Sequence, residues 1–238
     1  VTSIGNFAFS ECSSLTQISI PSSVTSIGKY SFIGCVLLTQ IMIPSLITKI
    51  DDFTFSNCSS LAQIIIPSSV TMLGNYIFNR CLSLTQITIP SSISEIGEGL
   101  FDSCDNLNEI IIHRNENSEE RIKYFEDSLL IYKSNPEKEI FDTLLWIKRN
   151  INKITIPQFI KTIGTSAFRG CSLLTQIIIP PSVTSIVHYV FSECTKLAQI
   201  SIPSSVTSIG NHAFYFCSSL AQITIPSSVI KIGEFSFS

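Results

Sequence analysis

The chain has 238 residues, 45% of them hydrophobic and 14% charged, with a formal net charge of −3. That composition excludes intrinsic disorder, which needs low hydrophobicity and high charge, and the weakly acidic balance argues against nucleic acid as a partner. Apolar runs such as residues 64–66 and 129–132 stop after three or four positions, far short of the roughly 20 that a spanning helix needs, so no membrane insertion is expected.

Ile and Ser together supply about a third of the chain, 40 and 38 residues, a bias that points to internal repeats. The eight cysteines stand at positions 12, 35, 58, 81, 104, 171, 194 and 217, so every gap is 23 residues except the 67 between Cys104 and Cys171. Eight prolines keep the same beat, from Pro21 to Pro90 and again from Pro157 to Pro226. One unit reads L-T-Q-I-S-I from Leu15 to Ile20, then Pro21 and two serines, then Val24, Ile27 and Gly28, and then Phe32 and Cys35. Alternation of Ile with Gln17 and Ser19 makes the first piece a short half-buried strand, which Pro21 ends because proline supplies no ladder donor. Val24 and Ile27 turn inward from a second extended piece, Gly28 suits a tight bend, and residues 29–35 are expected to form one helical or 3₁₀ turn. No single unit can bury its own face, so the units stack and stability is shared between neighbours.

Residues 113–150 break the pattern. They hold 15 of the 33 charged residues, seven basic and eight acidic, together with Trp146, the one tryptophan. Two β-like runs, 124–132 and 142–147, flank the turn signal Ser134-Asn135-Pro136. The expectation is a single solenoid domain over 1–238: regular repeats at 1–112, an irregular charged repeat with a projecting hairpin at 113–150, and regular repeats at 151–238. A hinge between two rigid halves is the alternative. Neither end has the polar face of a capping repeat, which suggests a fragment of a longer array or end-to-end self-association.

The phrase L-T-Q-I-x-I-P-S-S-V-T-S-I-G-x-x-A-F-x-x-C, carried by residues 15–20, 24–28 and 31–35 and their equivalents, resembles the BspA-like (treponemal-type) leucine-rich repeats. The segment 124–147 is similar to that family's variant unit, F-x-x-x-D-G-V-L-Y followed by T-L-I, with Ser128 in place of the glycine. The resemblance implies a curved leucine-rich-repeat solenoid of about ten 23-residue turns with a parallel sheet on its concave face. It also implies a non-enzymatic protein-binding scaffold, an adhesion or recognition module at the cell surface or secreted, whose ligand is a host-matrix or cell-surface protein. An intracellular scaffold in the cytoplasm is the alternative.

The residues themselves offer no enzyme chemistry. There is no G-x-S-x-G elbow or phosphate-binding loop, and His113, His188 and His212 are read as solvated surface, so no catalytic residue, metal or cofactor is expected. The eight cysteines share one phase, where parallel Cβ vectors disfavour disulfides; they read as a ladder of small buried residues. Asp51 and Asp52 read as solvent-facing, and Asn57-Cys58-Ser59 is the single glycosylation sequon. Aromatics at Phe7, Tyr30, Phe53, Tyr76, Tyr189, His212 and Phe235 are expected to stack from turn to turn. Candidate binding residues lie in two strand lanes. One is Gln17, Gln40, Gln63, Gln86, Gln176, Gln199 and Gln222, with Glu109 and Lys153 in place of Gln, expected to bond along the stack as an amide ladder; Gln40, Gln63, Gln86, Glu109, Lys153 and Gln176 are its candidate binding positions. The other holds Met42, Ile65, Thr88, Ile111, Thr155 and Ile178. Tyr132 and Trp146 of the hairpin form a second candidate.

Overall fold

Residues 23 apart stand on one another in the computed structural model, which describes residues 1–114, 119–135 and 137–238. By its contacts the chain divides into two compact units, Val1–Lys123 and Tyr124–Ser238. Both are β-solenoid stacks, with about ten turns in all. In the first unit one strand series is β2 (Gln17–Ile18), β4 (Gln40–Ile41), β6 (Gln63–Ile65), β8 (Gln86–Pro90) and β10 (Glu109–His113). The other is β1 (Ser3–Ile4), β3 (Ser26–Ile27), β5 (Lys49–Ile50), β7 (Met72–Leu73) and β9 (Glu95–Ile96). The division point falls within β11 (Ile122–Phe125). The second unit repeats the first series as β14 (Lys153–Thr155), β16 (Gln176–Ile178), β18 (Gln199–Ser201) and β20 (Gln222–Thr224). It repeats the second as β15 (Thr162–Ile163), β17 (Ser185–Ile186), β19 (Ser208–Ile209) and β21 (Lys231–Ile232).

Pairing within each series is parallel and in register, Gln17 opposite Gln40 and Gln199 opposite Gln222. In the first unit both series lapse at one level: neither β3 with β5 nor β4 with β6 forms a ladder. The third side of the turn holds that level, where the Tyr30, Phe32 and Gly34 N–H groups donate to the carbonyls of Asp52, Thr54 and Ser56 at 2.9–3.1 Å.

That third side departs from the expected helical turn: among the described residues no helix or 3₁₀ segment forms. Every fourth residue is left-handed there, as in Phe7 and Glu11, Phe53 and Asn57, Tyr76 and Arg80, Tyr189 and Glu193, and His212 and Phe216, all with φ between 52° and 63°. A right-handed helix cannot carry such residues. The alternation has a bonding purpose. Phe7, Phe9 and Glu11 donate to carbonyls one turn on, while Ala8, Ser10 and Cys12 donate three residues back within their own turn. The inter-turn bonds hold backbone strain that costs about 1–2 kcal/mol per left-handed residue.

Gly28 likewise has a different reason from a bend. The Asn6 carboxamide oxygen accepts the Lys29 N–H at 2.9 Å, and it sits where a Gly28 Cβ would lie. The same device recurs as Asp52 to Asn75, Asn75 to Glu98 and Asn211 to Glu234. Asp51 and Asp52 are half-buried rather than bare to solvent, and each forms an ion pair, with Lys49 and Lys29.

The core is a column of phenylalanines beside a column of cysteines. Phe9, Phe32, Phe55, Phe78 and Phe101 stack at centroid spacings of 5.1–6.3 Å, and Phe168, Phe191, Phe214 and Phe237 at 5.2–5.3 Å. All eight cysteines are free; Cys12 is exposed and the other seven are buried. They are more than small hydrophobes. The S–H groups of Cys35, Cys58, Cys81, Cys104, Cys194 and Cys217 each donate to a phenylalanine carbonyl of the preceding turn at 3.0–3.2 Å.

The irregular segment is built into the second unit's core rather than projecting from it. Glu126 and Asp127 are both left-handed, and the Ser128 N–H donates to the Phe125 carbonyl at 3.3 Å. This is the two-residue turn geometry of a tight hairpin, formed without a glycine at 128, and it splits the expected run 124–132. The strand that follows, β12 (Leu129–Tyr132), pairs antiparallel with β13 (Thr143–Ile147), and β13 pairs in parallel with β15. Leu129, Ile131, Leu144 and Ile147 join the same hydrophobic core as Phe168 and Cys171. The connection between β12 and β13 is exposed at Ser134 and residues 137–140, as is the Glu126-Asp127 turn; Pro136 of the expected turn lies outside the described residues.

Burial pushes the Cys35 thiol up to about 11 and Cys217 up to about 12, and it raises Cys58, Cys81, Cys171 and Cys194 as well. A thiol held neutral in the fold ionises in the unfolded chain near about 8.5. Its stabilising contribution is therefore complete below that pH and is lost as pH rises toward the folded value. The melting temperature of the 238-residue chain is expected to fall between pH 8 and pH 10.5, and a flat profile over that range would refute the buried thiol column. Mass spectrometry after alkylation at pH 8 is expected to show one adduct on native chain, at Cys12, and eight on unfolded chain.

Candidate functional site

Each strand of the first series turns its central Ile inward and two side chains outward, because successive residues of a strand face opposite sides. In the first unit this face presents Gln17, Gln40, Gln63, Gln86 and Glu109 in one lane. Ser19, Met42, Ile65, Thr88 and Ile111 form the other. The amide ladder expected from the sequence does not form. Gln86 Nε2 donates to Glu109 Oε2, but the side chains of Gln17, Gln40 and Gln63 make no hydrogen bond to any described residue. Met42 is 85% exposed and Ile65 69%, with Ile111 at 40%; Thr88 is half-buried.

The second unit presents Lys153, Gln176, Gln199 and Gln222 in register on one continuous four-stranded ladder. Beside them run Thr155, Ile178, Ser201 and Thr224. Lys153, Thr155 and Gln176 are exposed, and Ile178 is 51% exposed. Gln176, Ile178, Gln199, Ser201, Gln222 and Thr224 line a shallow open recess. Gln199, Ser201, Gln222 and Thr224 belong to the two lanes that the sequence period defines, and the unbroken ladder brings the Gln176, Gln199 and Gln222 amides to one surface.

The hairpin pair is not on a surface. Tyr132 is 8% exposed and Trp146 1%, so both side chains are buried. Arg149 lies over the Trp146 ring at 5.7 Å and donates from Nη1 to Cys171 Sγ at 3.3 Å. There the irregular segment supplies a guanidinium donor, and Cys171 accepts where other cysteines donate. The correction follows for function: neither residue can touch a partner in the folded chain.

The outer aromatics stack as expected. Phe7, Tyr30, Phe53 and Tyr76 follow at 4.7–5.3 Å with near-parallel planes, and Tyr189, His212 and Phe235 at 4.7–5.2 Å. Their faces are occupied by one another. His212 is thus a half-buried member of a ring stack rather than solvated surface. His188 is exposed and its Nδ1 accepts the Asn211 N–H at 2.9 Å. Among the described residues no group of three or more His, Cys, Asp or Glu side chains could hold a metal ion, and no helix is long and apolar enough to cross a membrane.

A family model described as a BspA type leucine-rich repeat region matches residues 1–130 and 138–238, in six copies. No curated protein matches the chain. Among solved structures, a leucine-rich cell surface protein from Faecalibacterium prausnitzii A2-165 is 29% identical. That match covers 100% of this chain and 74% of that one, with a TM-score of 0.67. The T. pallidum leucine-rich repeat protein is 26% identical over 83% of this chain and 72% of its own, with a TM-score of 0.50. The pneumococcal vaccine antigen PcpA shares the fold at 22% identity, with a TM-score of 0.71, over 98% of this chain and 64% of that one.

Because the lane amides have no internal partner, Gln63→Ala is expected to change stability by no more than about 0.5 kcal/mol, whereas Phe55→Ala in the ring column is expected to cost about 3–5 kcal/mol. Denaturant unfolding of the two variants measures both. A Gln63→Ala loss comparable to that of Phe55→Ala would restore the amide ladder.

Proposed function

The chain belongs to the BspA-type leucine-rich repeat family, and from that premise we propose that it is a non-enzymatic protein-binding scaffold serving adhesion or recognition at a cell surface. The observation that carries this reading is the outward face of the first strand series. The Gln17, Gln40 and Gln63 amides bond to no described residue, and Met42 and Ile65 stand beside them almost bare. A scaffold that needs these side chains for itself would bury or pair them. Exposed apolar residues beside free hydrogen-bonding groups suit a contact surface. Surface placement draws support from the cell surface protein that is 29% identical, and a host-matrix or cell-surface protein is the ligand class that suits it. Glu109 in the first unit and Lys153 in the second add the charged positions of the lane.

One observation favours a second reading, an intracellular scaffold. All eight cysteines are free, which is the ordinary state in a reducing compartment.

Two measurements test the proposal. Proteinase digestion of intact producing cells is expected to remove the protein, and full protection would favour the intracellular scaffold. Cells or matrix proteins are then presented to immobilised chain and to the variant Gln40→Ala/Met42→Asp/Ile65→Asp. The variant is expected to fold and to lose at least tenfold in retained partner; equal retention would exclude this face of the first unit.

A further inference from the structure

The recess of the second unit carries more information than exposure alone. Gln176, Gln199 and Gln222 lie in register on an unbroken ladder, and none of their amides bonds to a described residue. Strand spacing of about 4.8 Å puts Gln176 and Gln222 roughly 9.6 Å apart. Ile178, in the neighbouring lane, offers apolar area, 51% exposed. Lys153 continues the lane one strand before Gln176, exposed and without an ion-pair partner among the described residues.

We propose that this recess binds a proline-rich segment in the polyproline II conformation, with an acidic residue next to the prolines. The inference deepens the scaffold reading and rests on it. The repeat of the partner must match the repeat of the amides. Polyproline II rises about 3.1 Å per residue with three residues per turn, so equivalent carbonyls recur at about 9.3 Å. That agrees with the Gln176-to-Gln222 spacing to within a few tenths of an ångström. A β-strand presents same-side carbonyls at about 6.8 Å, which fits neither one nor two turns of the solenoid. An α-helix has a pitch near 5.4 Å and consumes its carbonyls internally. Polyproline II has no internal hydrogen bonds, so its carbonyls are free for the Gln176 and Gln222 amide donors while a pyrrolidine ring covers Ile178. The conformation is pre-formed, which lowers the entropy lost on docking. Charge decides the flank: between Gln176 and Thr224 the two lanes carry none, and Lys153 supplies a lone positive charge at one end, the complement of an Asp or Glu beside the proline run.

The test uses the 238-residue chain and a fluorescent oligoproline with two Asp residues at its N-terminus, read by anisotropy. Saturable binding is expected. The double variant Gln176→Ala/Gln222→Ala should weaken it at least tenfold, and Lys153→Glu should shift preference to the same peptide with two Lys residues. These positions are exposed, and circular dichroism confirms that the variants fold. The inference is overturned if the peptide does not bind, if the double variant binds it equally well, or if a Gly-Ser or Thr-Val peptide with the same Asp pair binds as tightly. Partner retention that depends on the first unit's lanes, with no oligoproline binding, would leave the scaffold reading standing and remove only this one.

Discussion

The carbonyls of Phe9, Phe32, Phe55, Phe78, Phe168 and Phe191 each accept twice, and that shared acceptor ties one turn to the next. The Phe55 oxygen takes the Cys58 N–H of its own turn at 3.2 Å and the Cys81 S–H of the following turn at 3.2 Å. A buried donor without a partner is costly, and the phenylalanine carbonyl of the preceding turn supplies the acceptor that each buried thiol needs. The phenylalanine rings stacked beside the thiols fill the rest of the layer. The column fails to repeat at Cys171, where the preceding turn is irregular, and Arg149 takes over as donor.

Comparable exchanges between neighbouring turns explain the remaining repeat positions. Asn6 and Asn211 accept from the backbone N–H of the next turn, and Gly28 and Gly233 are required there because those side chains occupy their Cβ space. Left-handed residues on the third side aim alternate N–H groups along the stack instead of around it. Each contact links one turn only to its neighbour, the general property of solenoids. Two sides of every turn are thereby used up by the scaffold. The outward face of the first strand series is not, and this is where a ligand can be met without disturbing the fold.

Much of this was legible before any coordinates. The 23-residue phase of Cys, Pro and Phe located the core, both strand series and the outer ring stack, because burial in a stacked turn depends only on position within the repeat. Four readings needed the structure. Residues 29–35 looked helical because Phe32 and Cys35 are spaced like one helical turn. The Gln lane looked like a ladder because the residues align. The hairpin within 113–150 looked like a projection because two β-like runs flank a turn signal, yet Leu129, Ile131 and Trp146 are buried. Gly28 looked like a bend residue, whereas its neighbour Asn6 sets the requirement.

What the sequence by itself determined was the period, the identity of the buried positions and the family. A repeat is one-dimensional information, and side-chain burial in a stack follows it directly. Only the tertiary structure decided the handedness of the third side, the engagement of each thiol, the freedom of the lane amides and the depth of Tyr132. Each of those depends on where a group on the adjacent turn lies in space, to within the few tenths of an ångström that separate a hydrogen bond from a gap.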